Sequence, residues 1–299
     1  MLQRFHVPAS VRATALSVVT LASLSACGGG GSTGGTPTAT VASMSVSATR
    51  YSQAATVTIN GTGLDSTLAV TSSVCADATL QSGSTSTTAT YTCTVDGGLT
   101  GTVVAKSNGT QVGSASFTVP APVVTMMVNN TQSVNGNLVI TLDPTKAPKT
   151  VDNFLHYVNT GFYNNTIFHR VVAGFVMQGG GYANPVTDLN TATLKAGLFA
   201  PIATENTGLN NVTWSIAMAN ANTATNTTTT TSQFYINLNN NTNLDGGGYA
   251  VFGTLTTASQ AVAQSIVAAP ATCVGDALAG TTDCLPIPNA VITTATQTQ

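Results

Sequence analysis

Charge is scarce in this chain. Of 299 residues, eight are Lys or Arg, ten are Asp or Glu and three are His, with a formal net charge of −2. The cations are scattered and form no basic patch, which argues against a nucleic acid partner, because phosphate binding needs clustered Lys and Arg. Histidine is equally thin. Beyond residue 26 only His156 and His169 remain, and no nucleophilic triad can be assembled from them. The acids form no pair at the spacing that a glycosidase or a metal centre uses. Glu205, in "PIATENTGL", has no partner in the sequence. The five cysteines include no Cys-x-x-Cys pair and have no histidine beside them, which weakens a zinc site. No Gly-Lys-Ser/Thr follows the glycines at 179–181, so they are not a phosphate loop. Neither a cofactor nor a metal is expected.

What is present begins with an export signal over residues 1–26. Arg4 and Arg12 give its positive start and residues 13–24 its apolar run, which is shorter than the roughly twenty apolar residues of a transmembrane helix. The run ends in Leu24-Ser25-Ala26-Cys27. This resembles a bacterial lipobox, which implies lipid on the Cys27 sulfur and cleavage before it. An odd cysteine in an exported chain asks for a fate of its own, and lipidation supplies one. Several acyl chains anchor stably where one holds only marginally. Gly28 stands where an inner-membrane retention signal would show Asp, so the resemblance implies the outer membrane of a bacterial envelope, facing the periplasm. A plain secreted protein with a free Cys27 is the alternative. Export implies an oxidising compartment, and each remaining close pair falls within one candidate domain, so the expected disulfides are Cys75–Cys93 and Cys273–Cys284.

Residues 27–37 form a Gly-rich tether. Residues 38–120 alternate β-formers with small polar residues, as in "ATVTING", "ATYTCTVDGG" and "SASFTVP", and Asn108-Gly109 is a strong hairpin turn. About eighty such residues predict an immunoglobulin-like β-sandwich without its usual core Trp. Pro120-Ala121-Pro122 marks a boundary, and residues 121–299 make a second domain. There "NLVITL" reads as a strand. Val151, Phe154, Leu155 and Val158 follow at i, i+3, i+4 and i+7, one apolar helix face, with Pro148 in the first turn and Gly161 at the C-terminal end. "NTIFHRVV" reads as a strand that places Phe168, Arg170 and Val172 on one face and Ile167, His169 and Val171 on the other. A second helix is expected over 258–267, then a loop holding Cys273 and Cys284, then a strand over 289–295.

Arg170 is the residue that needs explaining. An arginine inside an apolar run either has internal partners or lines a cleft. His169 alternates with Ile167 and Val171 and reads as a core histidine with a satisfied ring nitrogen; His156 lies on the polar side of its helix. One arginine among apolar residues, aromatics and amides cannot run hydrolysis easily, but it suits a reaction that breaks no covalent bond.

The stretch "TVDNFLHYVNTGFYNNTIFHRVVAGFVMQGGG" resembles a cyclophilin, a peptidyl-prolyl cis–trans isomerase, closest to bacterial periplasmic members, and "IAMANA", "SQFYIN" and "NLDGGGYAVFGTL" follow in the family's order. The resemblance covers roughly residues 123 to 299. It implies a mainly β chain whose second domain is an eight-stranded barrel capped by two helices. By the same resemblance Arg170 matches the catalytic arginine. Phe175, Val176, Tyr235, Leu244 and Tyr249 match the proline pocket, and Gln178, Ala219 and Asn220 the residues that bind substrate backbone. The implied partners are proline-containing polypeptides and, through Cys27, a membrane; the protein is expected to act as a monomer.

Several positions depart from the family. Tyr235 replaces a Phe and adds a hydroxyl at the pocket wall; Val176 replaces a common Met and Tyr249 a frequent His. Asn243 stands at a usually aromatic position, which implies weak binding of cyclosporin-type inhibitors. Trp214 replaces a small residue, and "NTATNTTTTT" reads as a polar surface segment. Two alternatives stay open: a non-catalytic peptide-binding chaperone module, and a structural surface lipoprotein that works through its sandwich.

Overall fold

The structure is a computed structural model that describes residues 39–48, 50–222, 228–276 and 281–299. The signal, the tether and Cys27 lie outside these residues. No helix among the described residues is long and apolar enough to cross a membrane.

Alternating side chains build the first region. Strands β1 (Thr40–Ser47), β2 (Ala54–Thr62), β3 (Leu68–Thr71), β4 (Cys75–Leu80), β5 (Thr88–Val95), β6 (Thr100–Ser107) and β7 (Thr110–Thr118) form two antiparallel sheets, ordered β1-β2-β5-β4 and β3-β6-β7. Val57 and Ile59 of β2, Tyr91 and Val95 of β5, and Val103 and Ala105 of β6 are buried between the sheets, as a period of two requires. The Tyr91 hydroxyl donates to the Leu68 carbonyl at 2.7 Å and ties one sheet to the other. Asn108 and Gly109 take φ of 50° and 81°, the turn that closes β6 on β7 with Ser107 opposite Thr110. A disulfide joins Cys75 of β4 to Cys93 of β5.

Past Pro122 the chain forms β8 (Val123–Asn129), β9 (Asn135–Leu142), α1 (Pro148–Asn159), β10 (Thr166–Val172), β11 (Val176–Ala183), β12 (Ile202–Ala203), β13 (Ser215–Met218), β14 (Ala221–Asn222), β15 (Thr228–Thr230), β16 (Phe234–Asn237), β17 (Val251–Leu255), α2 (Gln260–Val267), β18 (Ala271–Asp276), β19 (Thr281–Pro286) and β20 (Ala290–Gln297). Strands pair in the order β10-β11-β16-β13-β17-β9-β8-β20 and back to β10. This is a closed eight-stranded barrel, and closure leaves no sheet edge open. Met126, Ile140, Phe168, Met177, Ile216, Phe234 and Phe252 belong to its buried core.

Helix α1 lays its apolar face on that core. Val151, Phe154, Leu155 and Val158 are at most 2% exposed. The Phe154 ring meets Tyr163, Phe234 and Phe252 at centroid distances of 5.3, 5.7 and 4.9 Å. Burying each such side chain contributes roughly 1.5–3 kcal/mol. Pro148 sits in the first turn and Gly161 follows the last with φ of 72°, the asymmetry expected of a helix start and stop. Ala147 at the N-cap has no side-chain oxygen to offer. Glu205, unpartnered in the sequence, supplies the cap from afar: its carboxylate accepts Lys149 N at 3.1 Å, and Thr150 N and Thr150 Oγ1 at 2.6 Å each. The predicted second helix appears as α2 after one 3-10 turn, Thr257–Ser259.

Two expectations are corrected. The cysteines after α2 sit not in a loop but on a hairpin: β18 pairs with β19, with Cys273 directly opposite Cys284 and a disulfide between them. The polar Thr-rich stretch is not all surface, because Thr228–Thr230 pairs with both β12 and β14 and Thr230 is buried; residues 223–227 lie outside the description. Strand β8 begins directly after the Pro-Ala-Pro boundary, at Val123. The two regions also touch: Gln297 Nε2 donates to the Tyr51 carbonyl at 2.8 Å, and Arg50 Nη1 to the Gln297 carbonyl at 3.3 Å.

Candidate active site

The site begins with an irregularity in β10. In its pairing with β11, Phe168 stands opposite Gly179 but Arg170 opposite Gln178, so the register slips by one residue between them. This bulge overturns the simple alternation expected for the strand. Phe168 and Val171, three apart, share the barrel core, while Ile167 belongs to a separate cluster with Val186 and Leu285. A bulge inserts one unpaired residue and re-aims its neighbours. Here it turns Arg170 out of the core, to 26% side-chain exposure. His169 is buried, with its ring 4.8 Å from that of Tyr182. Its Nδ1 has no hydrogen-bond partner among the described residues, while hydrogen bonding with the Ile167 backbone and the Gln233 side chain opposes the effect of burial on the ring. Burial lowers its pKa to about 4, so the imidazole is neutral at pH 7.

Beside Arg170 lies an apolar slot. Val176, Ala217, Tyr235 and Val251 are buried together, and Phe175, Leu209, Ala219, Leu244 and Tyr249 pack around them half-open. The Tyr235 and Tyr249 rings meet nearly edge-on at 5.9 Å. The Tyr235 hydroxyl is not presented at the slot wall as expected. It is turned beneath the slot, where it donates to Asn211 Oδ1 at 2.7 Å; burial pushes its pKa up, so it stays a donor. Asn211 in turn donates to Asp245 from its backbone N at 2.8 Å and its side chain at 2.9 Å. Asp245 directly follows Leu244, so this buried network fixes the loop that carries one slot wall. A cavity of about 350 Å³ adjoins it, lined by Leu209, Asp245 and Tyr249 among others.

Polar groups rim the slot. Gln178 Nε2 donates to Gln233 Oε1 at 2.9 Å. The room for Gln233 comes from Gly181, where a Cβ would meet the Gln233 side chain at 2.7 Å. The Asn220 side chain is held by its Nδ2, which donates to the Gly247 and Gly248 carbonyls at 3.2 and 3.0 Å.

The arginine resolves the alternative posed by its sequence by doing both things. Its Nε donates to Asp283 Oδ2 of β19 at 2.7 Å, so the guanidinium is not alone. Its Nη1 and Nη2 have no partner among the described residues, and its Cζ lies 5.9 Å from the Phe175 ring centroid, within cation–π range. The structure therefore brings together Arg170, Phe175, Val176, Gln178, Ala219, Tyr235, Leu244 and Tyr249. Sequence reasoning missed Asp283, Gln233 and Asn211, which hold these groups from distant parts of the chain. Among the described residues no cluster of three or more His, Cys, Asp or Glu could hold a metal.

A closed barrel capped by helices, with an arginine at the edge of an apolar slot, defines the class. Residues 123–294 match the family model described as cyclophilin type peptidyl-prolyl cis-trans isomerase/CLD, and the chain belongs to that family. It is 40% identical over 132 residues to peptidyl-prolyl cis-trans isomerase cyp18 of Streptomyces antibioticus, covering 42% of this chain and 75% of that one. It is 46% identical over 86 residues to peptidyl-prolyl cis-trans isomerase B of Escherichia coli, 28% of this chain and 48% of that one. To isomerase A of Dickeya dadantii it is 45% identical over 85 residues, 28% of this chain and 41% of that one. The chain thus spans less than half the length of the last two relatives. Among solved structures it is similar to a cyclophilin type isomerase of Cryptosporidium parvum, with a TM-score of 0.42 and 23% identity over 60% of this chain and 99% of that one.

Proposed function

We propose that the protein catalyses cis–trans isomerisation of X-Pro bonds in exported polypeptides. One observation carries this: the Nη donors of Arg170, without a partner among the described residues, lie beside Phe175 at the edge of a slot walled by Val176, Tyr235 and Leu244. The imide bond is held planar behind a barrier of about 18–20 kcal/mol. Twisting it breaks the resonance and returns a lone pair to the proline nitrogen. A fixed guanidinium donates to that lone pair only once the twist has developed, so it stabilises the transition state over either planar isomer. The apolar walls hold the ring; the Gln178 amide and the backbone at Ala219 and Asn220 hold the flanking chain. The measurement is relaxation of an X-Pro peptide. Arg170→Ala is expected to lower kcat/KM on the order of 100-fold, the loss typical of one transition-state donor. Equal rates with wild type and variant would overturn the assignment.

The proposal extends to placement. Lipid on Cys27 would anchor a monomer to the outer membrane, with residues 27–37 as tether and the sandwich as spacer. The strand orders β1-β2-β5-β4 and β3-β6-β7 support an immunoglobulin-like assignment, since they follow the ABED and CFG sheets of a constant-type domain. The Asp283 ion pair favours one second reading, a peptide-holding chaperone, because a neighbouring carboxylate offsets part of the guanidinium charge. Binding of a proline peptide without faster relaxation would select it.

A further inference from the structure

We propose that Asp283 is the positioning residue for Arg170 and that the β18–β19 hairpin, closed by Cys273–Cys284, exists at this place to hold it there. The inference rests on the isomerase assignment and deepens it. Strand β19 touches β10 at one register pair, Val171 opposite Cys284. In an antiparallel pair that register sets Arg170 and Asp283 diagonally across from each other on the same face, a separation long side chains can bridge. They do, at 2.7 Å.

The atoms used matter. Arginine offers five N–H donors in a rigid planar fork. The Asp283 carboxylate takes only Nε–H, at the base of the fork. Fixing that edge constrains the plane of the whole guanidinium and leaves both Nη groups without a partner among the described residues, with Cζ 5.9 Å from the Phe175 ring centroid. Without the tie, the long side chain keeps its rotamer freedom, and its donors are not held where the twisted imide nitrogen forms. The other carboxylate oxygen, Asp283 Oδ1, is buried and has no hydrogen-bond partner among the described residues. Leaving a buried carboxylate oxygen unpaired is unfavourable. The Cys273–Cys284 disulfide, one position away, restrains the strand that presents Asp283 to Arg170.

The test uses the full chain and a proline tetrapeptide, reading kcat and KM separately. Asp283→Asn is expected to lower kcat about tenfold, as small misplacements of a catalytic group do, with KM within twofold. Asp283→Glu is expected to recover most of the loss, and Asp283→Asn is expected to change nothing further in an Arg170→Ala background. An unchanged or raised kcat in Asp283→Asn overturns the proposal, as does a loss of the same factor in the Arg170→Ala background. Should wild type and Arg170→Ala relax the peptide equally slowly, the isomerase assignment falls by itself. The Arg170 Nε–H exchange rate, read by NMR, then still decides what Asp283 does. Protection in wild type that disappears in Asp283→Asn keeps it as the group that orients the guanidinium; no protection in wild type removes it.

Discussion

The Cys75–Cys93 and Cys273–Cys284 disulfides both join neighbouring antiparallel strands, over separations of 18 and 11 residues. Their surroundings differ. Cys75 and Cys93 are 2% and 4% exposed and add a cross-link to strands already paired on both sides of β5. Cys273 and Cys284 lie on a hairpin outside the barrel closure, and the residue before Cys284 is the ion-pair partner of Arg170. One bond restrains a packed interior. The other closes a hairpin whose Asp283 holds the guanidinium proposed to act on the imide bond. The same covalent link should therefore register in stability in the first region and in turnover in the second.

Swapping each pair for serine breaks or sharpens that contrast. Cys75→Ser with Cys93→Ser is expected to cost about 3 kcal/mol, the value for a loop of this size in the chain-entropy picture, read as a lower denaturant midpoint, with kcat/KM within twofold of wild type. Cys273→Ser with Cys284→Ser is expected to lower kcat roughly fivefold through a looser Asp283, and to move the midpoint less, because the hairpin can open locally while the barrel stays closed. Loss of activity in the first variant, or none in the second, would erase the distinction.

The next effect belongs to the barrel side. His169 is buried with its pKa lowered to about 4, chiefly by desolvation, with Arg170 adding to the shift. The unfolded chain takes up a proton near 6.5 and the folded one does not. Stability is therefore fully present above 6.5 and lost as pH falls toward 4, by about 2–3 kcal/mol in all. Melting temperatures across pH 4 to 7 are expected to fall steeply on the acid side, and His169→Gln to flatten the slope.

Much of the frame was legible because it is local. The spacing of Val151, Phe154, Leu155 and Val158 defines α1, and Asn108-Gly109 its hairpin, without help from elsewhere. Strand β8 carried the same kind of signal, with Val124, Met126 and Val128 buried in alternation, and its place after a proline pair hid it. The wall residues of the slot were reachable by resemblance. The groups that hold them were not: Asp283 is 113 residues from Arg170, and Gln233 is 55 from Gln178. The slip at His169 depends on the register with β11, which no window around residue 169 contains. Trp214 takes φ of 69°, a left-handed conformation costly for a bulky residue, which accounts for the small residue usual there in the family.

Glu205 comes third in size and tests whether α1 needs its distant cap. Glu205→Ala removes the acceptor of two backbone N–H groups and of the Thr150 hydroxyl. A loss of about 2 kcal/mol is expected, at the upper end for an N-cap because the acceptor is charged and lies at the positive end of the helix dipole. Glu205→Gln should recover part of it. A change below about 0.5 kcal/mol would mean that water caps the helix as well.

The smallest effect lies between the two regions, at Asp152. This carboxylate on α1 faces the buried Tyr51 of the sandwich, and its pKa is raised to about 6, first by desolvation and then by the charges of Asp96 and Glu205, against the hydrogen bond from Tyr51. The sign is opposite to that of His169. A folded pKa above the unfolded value near 3.8 means that the folded state holds the proton longer. The contribution is therefore present at low pH and lost as pH rises from about 4 through 6. The side chain is partly open to solvent, which screens the effect to about 1 kcal/mol. Asp152→Asn is expected to stabilise the chain by that amount at pH 7 and to leave it unchanged at pH 4. With the opposing slope gone, the acid-side loss set by His169 should steepen in this variant. A pH profile identical to wild type would mean that Asp152 is hydrated in solution and that the contact between the regions is looser than the burial of Tyr51 implies.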